Sequence, residues 1–409
     1  MPADRYAWTV LVWMAGDNDL EDFGSKDLRE LKKVGSTGDV AVAVQLDRMA
    51  DEKTRRYFVR KGGVPAADVV QELGETNTGD PAVATDFFAW GMKEYPSERV
   101  LAVMWNHGSG IDEDDIYQWQ DRALARAAKQ GGRVSARRVR AVTATGFRRA
   151  LFATTVREAL VDRGIAYDDT AADFLDNVEL KKVLDDVKAR TGRGVDLLGF
   201  DACLMNMIEV AYQCHTVADY IVGSQELEPG DGWPYDKVLK DLAAHPSMDA
   251  AELGETVVKR YLESYDDDAI TQSVMDMSCA KPAAKAVDEL AAALIDAIAD
   301  GNEYKRFRQA CNNAQTFDTP GFLDLVDLCE QITARTSVAA VKAAAADVIA
   351  AVRPGPGALV RSEGHEGATM TRAHGVSIYV PMGNVTVAYD RLAFAKDTRW
   401  GRLLDAYTS

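Results

Sequence analysis

Four short apolar runs, each cut off by polar residues, limit what this chain can fold into: Trp8–Ala15, Val40–Leu46, Arg99–Trp105 and Val195–Phe200. Runs of this length, rich in β-branched and aromatic residues and without alternation, are expected of strands buried on both faces. Helical periodicity lies between them. Leu20, Phe23, Leu28, Leu31 and Val34 follow the first run, a helix opened by Pro81 extends to about Tyr95, and Val178–Val187 precedes the fourth run. Alternation of this kind predicts an α/β fold with a mostly parallel central sheet and helices on both faces.

Two of the runs end on reactive side chains. The third stops on Asn106-His107-Gly108 and the fourth on Asp201-Ala202-Cys203. Parallel strands share a direction, so both ends emerge on the carboxyl edge of the sheet, where open α/β folds place their ligand crevices. A thiol and an imidazole on one edge are the parts of nucleophilic catalysis. The competing role for Cys203 is a buried core thiol, common for free cysteine. A helical pattern after it (Leu204, Met205, Ile208, Val210, Ala211) predicts a helix start near Leu204, whose dipole would favour the thiolate. Cys214, Cys279, Cys311 and Cys329 sit in apolar settings and are read as core. His215 and its neighbour Cys214 point apart on a helix, His245-Pro246 reads as a helix end, and His365 and His374 lack the i, i+4 spacing of a zinc site, so no resident metal is expected.

At 409 residues the chain holds one large core or two modest domains. The expected division is a catalytic core over 1–280 and a mainly helical region over 281–409, with late strands at Ala358–Ser362 and Gly375–Pro381. Further strands are expected at Tyr220–Gly223 and Gln272–Met277, a hairpin arm at Arg55–Arg60, and helices at about 235–245 and 249–265. A net charge of −17 argues against nucleic-acid binding. The first apolar run is too short for a membrane span and carries no leader pattern, and the cysteines form no disulfide framework; together these predict a cytoplasmic protein without a membrane partner. Within this acidic chain, Arg122 to Arg149 holds nine Lys/Arg and no Asp or Glu. That stretch is either a processing linker or a basic surface that docks an acidic partner.

The motifs resemble those of the clostripain (C11) family of cysteine peptidases. The likeness lies in Trp8–Val12 followed by Ala15–Glu21, Asn106-His107-Gly108, Gly199–Met205, the loop Pro229-Gly230-Asp231-Gly232-Trp233-Pro234-Tyr235, and His374–Pro381, in that order. It implies a caspase–haemoglobinase-like fold with a helical C-terminal elaboration. It also implies Cys203 as nucleophile, His107 as its partner, and an oxyanion hole from the backbone N–H groups of Gly108 and Cys203. Cleavage after Arg, less often Lys, of protein substrates is implied, from a zymogen cut between the histidine and cysteine strands.

Processing is expected at Arg133, Arg137, Arg138, Arg140, Arg148 or Arg149, autocatalytically or by an upstream protease. An arginine pocket needs a carboxylate. Asp201 is the first candidate, Asp231 the second, with Glu226 and Glu228 weaker. Because some members of the family depend on calcium, the acidic stretches Asp17–Asp22, Asp112–Asp115 and Asp266–Asp268 are possible ligands, although none has a dedicated calcium-loop pattern. An intracellular peptidase of this kind would need restraint, which points to regulated proteolysis in signalling or defence. The alternative from another class is a non-catalytic module of the same fold, docking an acidic partner through residues 122–149.

Overall fold

The computed structural model describes residues 5–18, 20–48, 50–106, 108, 110–111, 175–266, 269–355, 357–381, 383–386 and 389–409, together with the backbone of 153–154 and 173–174. These fall into two compact units, Met1–Cys203 with Glu228–Asp249 and Leu204–Leu227 with Ala250–Ser409, in place of a division at residue 280.

In the first unit the apolar runs are strands: β1 (Tyr6–Gly16), β2 (Val40–Arg48), β5 (Ser97–Trp105) and β8 (Val195–Asp201). With β3 (Thr54–Phe58) and β4 (Val69–Gly74) they lie in the order β8-β5-β1-β2-β3-β4. The four long strands are parallel, while β3 and β4 join antiparallel. β6 (Ala153–Thr154) and β7 (Asp173–Phe174) form a small antiparallel pair. Leu11, Val12, Trp13, Val42, Ala43, Ala102 and Val103 have no exposed surface, as unbroken apolar strands covered on both faces require.

Helix α1 (Glu21–Val34) connects β1 to β2 and packs on the helix Tyr235–Ala244. The helix Asn177–Thr191 leads into β8 and packs on α2 (Pro81–Glu94). The crossovers β1→β2 and β5→β8 run in opposite directions along the sheet. Right-handed connections therefore put α1 and Asn177–Thr191 on opposite faces. Local sequence sets the helix starts. Asp80 caps α2 through Ala82 N–H with Pro81 in the first turn, and Asp176 and Glu179 form a reciprocal capping box.

The second unit holds an antiparallel sheet in the order β12-β10-β9, from Val360–Glu366, Ile270–Asp276 and Ala218–Gly223. A second pair joins β11 (Phe322–Asp324) to β13 (Ser377–Tyr379). The expected parallel arrangement thus describes the first unit, and antiparallel pairing the second. The helix Ala280–Ile298 packs on Ala339–Val352 and on Trp400–Thr408, so this unit carries most of the helical elaboration. Among the described residues no helix is long and apolar enough to cross a membrane.

Candidate active site

The parallel register of β5 and β8 places Trp105 beside Asp201, so the two strands end together. Asn106 N–H donates to the Asp201 carbonyl at 3.3 Å and carries the pairing one step further. Beyond it, the backbones of Gly108 and Cys203 meet. A methyl group added to Gly108 would lie 2.0 Å from the Cys203 carbonyl oxygen and 2.9 Å from its nitrogen, so only glycine fits. Gly108 and Cys203, expected to share an oxyanion hole, are therefore neighbours. His107 lies outside the described residues, as do Ser109 and the segment holding Arg133, Arg137, Arg138, Arg140, Arg148 and Arg149.

Cys203 is 7% exposed, and its Sγ accepts the Glu228 N–H at 3.2 Å. The same sulfur lies 3.9 Å from the Glu228 carbonyl, to which the thiol donates. The helix predicted to begin near Leu204 begins at Ile208 and runs only to Cys214. The apolar pattern from Leu204 to Ala211 does not hold helical spacing at its start, because Leu204 takes a left-handed backbone conformation at φ +64. That conformation is uncommon for a leucine and recurs where structure serves function. The other four cysteines are buried, as expected. Burial pushes the Cys311 thiol up to about 12 and that of Cys329 higher still, which leaves both inert.

Asp201 ends β8 as a buried carboxyl group. Its Oδ1 accepts the Trp233 N–H at 3.2 Å and its Oδ2 accepts the Tyr235 hydroxyl at 2.8 Å. Both donors come from the turn-rich loop at 229–235. Gly232 makes this approach possible: its φ is +56, and a methyl group there would lie 2.7 Å from Asp201 Oδ1. Glu228 shares a further hydrogen bond with the Asp201 carboxyl. Burial raises Asp201 to about 6, against the lowering effect of Glu228, Tyr235 and the Trp233 N–H. Asp231, the second carboxylate candidate, lies on the surface and forms an ion pair with Lys26 at 2.5 Å.

A carboxyl group that sequence reasoning missed stands behind this one. Asp27 of α1 is 1% exposed and accepts the Trp105 indole N–H at 2.8 Å. Burial, then the neighbouring Asp201 charge, raises it to about 9, so Asp27 holds its proton at neutral pH while Asp201 can ionise. An acid in the middle of an amphipathic helix reads as surface in sequence. Only the last residue of β5, whose indole reaches Asp27, marks it as internal. Of the weaker candidates, Glu226 bonds within the second unit, its backbone carbonyl accepting Leu204 N–H at 3.2 Å.

The arrangement joins a cysteine at a strand end, backbone N–H groups beside it, and a buried acidic cluster two residues upstream. The profile of the clostripain family, peptidase family C11, matches residues 12–135 and 153–407. The chain belongs to the clostripain family.

Clostripain of Hathewaya histolytica is 25% identical over 265 residues, a match that covers 58% of this chain and 42% of that protein. A secreted C11 cysteine protease from Bacteroides thetaiotaomicron, solved with an irreversible peptide inhibitor, superposes with a TM-score of 0.62 at 20% identity, covering 98% of this chain and 99% of that one. An inactive zymogen C11 protease from Parabacteroides distasonis gives 0.61 at 20% identity over 97% and 99%. These likenesses establish the caspase-like fold expected of the clostripain family. They also correct the expected location: the Bacteroides protein is secreted, and a cytoplasmic assignment does not stand. Nothing in these likenesses supports the expected role in signalling or defence.

Proposed function

We propose that the chain is a cysteine endopeptidase that cleaves proteins after Arg, less often Lys, and is made as a precursor cut within the basic segment that joins β5 to β8. The observation that supports it best is the meeting of Gly108 and Cys203 at the ends of adjacent parallel strands. In this reading the Cys203 thiolate attacks the scissile carbonyl carbon. The resulting oxyanion is held by the N–H groups of Gly108 and Cys203. As the C–N bond breaks, His107 gives the departing amine a proton. Water then attacks the thioester, releasing the acid and restoring the thiol.

The buried acids supply the preference. A guanidinium entering against Asp201 would meet a carboxyl group already held by Tyr235 and Trp233, with Glu228 beside it. A low-dielectric acidic floor of this kind favours a cation over a neutral side chain. Asp231 would contribute at the rim by exchanging Lys26 for the substrate cation. The precursor would be cut at one of Arg133, Arg137, Arg138, Arg140, Arg148 and Arg149, by its own site or by another protease.

An arginyl chloromethylketone tests the reading, applied before and after limited trypsin cleavage and followed by intact mass. One adduct is expected on the wild type and none on Cys203→Ala, with a leucyl probe reacting far more slowly. An adduct of equal yield on Cys203→Ala, or equal rates for the arginyl and leucyl probes, would overturn it.

A further inference from the structure

We propose, on the peptidase reading, that Asn177 is a positioning residue: through Gly110 it holds the segment that presents the Gly108 N–H beside Cys203. Asn177 Nδ2 donates to the Gly110 carbonyl at 2.8 Å. Gly110 lies beyond the end of β5, and Asn177 is the first residue of the helix Asn177–Thr191 that leads into β8. The bond therefore joins the two sides of the segment 112–172.

The helix start does not need the Asn177 side chain. Asparagine favours the N-cap, where its side-chain oxygen accepts a backbone N–H. Here Asp176 is the cap: its Oδ1 accepts Glu179 N–H at 2.7 Å, while Glu179 Oε2 accepts Asp176 N–H at 3.0 Å. Leu175 and Leu180, at the positions of a hydrophobic staple, have no exposed surface. Asn177 follows the completed cap and is 1% exposed. Its Oδ1 is buried with no hydrogen-bond partner among the described residues. A bare buried amide oxygen costs stability. Against that cost stands the bond from Nδ2, the atom of this side chain that can face a carbonyl.

The bond acts close to Cys203. Gly110 is two residues beyond Gly108, a span of at most about 7 Å. Its φ of +61 turns the chain, and Ile111 after it is 1% exposed. Burial of an apolar side chain is non-directional, whereas a hydrogen bond fixes the orientation of the peptide plane. On the other side, Asn106 N–H donates to the Asp201 carbonyl at 3.3 Å, and Asn106 Oδ1 accepts Asn18 Nδ2 at 3.1 Å. Gly108 is thus bracketed by anchors two residues away in each direction. It packs so tightly on the Cys203 backbone that a methyl group does not fit, so a shift at Gly110 passes directly to the Gly108 N–H. A misplacement of about 1 Å costs up to roughly a hundredfold in rate.

Kinetics per reactive site test the assignment. Wild type, Asn177→Ala and Asn177→Asp are nicked with trypsin, freed of it, and titrated with the arginyl chloromethylketone. For an arginyl amide substrate we expect kcat per reactive site to fall roughly tenfold to a hundredfold in both variants, with KM within about twofold. In Asn177→Asp, kcat relative to wild type should recover as pH falls, because the protonated carboxyl regains an O–H for the Gly110 carbonyl. Asn177→Ala regains no donor and should show no recovery. Val183→Ala, which removes core packing from the same helix, should lower the thermal midpoint and leave kcat per reactive site unchanged. Wild-type kcat in both Asn177 variants, a loss confined to KM, or an equal loss of kcat in Val183→Ala would overturn the assignment. A wild type that forms no adduct removes the peptidase reading and this role with it. A reactive wild type beside Asn177 variants of full kcat removes the role of Asn177 alone.

Discussion

The Trp105 indole donates its only N–H to Asp27 Oδ2 at 2.8 Å, so the last residue of β5 is fastened to a protonated acid on α1. That proton carries a stability cost with a defined pH dependence. In the unfolded chain Asp27 ionises near 3.9, whereas burial raises it to about 9 in the fold. Below the lower value both states are protonated and the group is neutral to stability. Between the two, only the unfolded state loses its proton, and stability falls as pH rises. Asp27→Asn, which cannot ionise, is expected to be more stable than the wild type at pH 8 by at least about 1.4 kcal/mol, the worth of one pKa unit. The gain should vanish near pH 4, as read from urea midpoints across that range. Activity toward arginyl substrates at pH 7 should stay within about threefold, because the protonated acid and the amide carry the same charge.

Asp201 should behave in the opposite way, through its charge. It is raised to about 6, so it is ionised above that pH and loses its charge below it. KM for an arginyl substrate should therefore climb as pH falls through 6, and Asp201→Asn should abolish that dependence. Truncating one side of a buried charge pair costs about 2–5 kcal/mol, so kcat/KM should drop roughly thirtyfold to several thousandfold. Tyr235→Phe removes the hydroxyl that Asp201 Oδ2 accepts, and the inflection in KM should move to higher pH.

Gly108→Ala should be severe for a steric reason. The added methyl would fall 2.0 Å from the Cys203 carbonyl oxygen, and backbone on both sides would have to part. Since removal of one oxyanion donor costs about 10²–10³ in kcat, a displacement of both should cost at least 10². Gly38→Ala, whose methyl meets nothing within 4 Å, is the control and should retain full activity.

A separate prediction concerns folding alone. Lys32 and Asp68 form an ion pair with about 4% of each side chain exposed; Lys32 Nζ also donates to the Arg60 carbonyl at 3.1 Å. Asp68→Ala strands a buried ammonium and should cost about 3–5 kcal/mol, measured by denaturant unfolding. The double variant Lys32→Met with Asp68→Leu should recover most of that loss, since no buried charge remains without a partner.

The parallel strands were legible because burial on both faces demands unbroken apolar runs, and Val40–Leu46 or Arg99–Trp105 could be little else. β4 was not, for the opposite reason: Val69-Val70-Gln71-Glu72-Leu73-Gly74 is an exposed edge strand whose composition resembles a loop. The true arm began at Thr54 and ended at Phe58, with β4 as its unforeseen partner. Cys203, Gly108 and Asp201 were legible as residues at strand ends, where chemistry concentrates. Asp27 was not, because its meaning depends on a side chain that arrives from a distant element, the Trp105 indole.

The segment between residues 112 and 172 connects strands that lie side by side, with Leu101 opposite Leu197 and Trp105 opposite Asp201. Were the backbone severed there, each fragment would keep one rail of a hydrogen-bonded ladder in the middle of a buried sheet. The fragments could separate only by unfolding that sheet, so dilution would not inactivate the nicked protein. Its working lifetime would be set by an unfolding rate rather than by a dissociation constant.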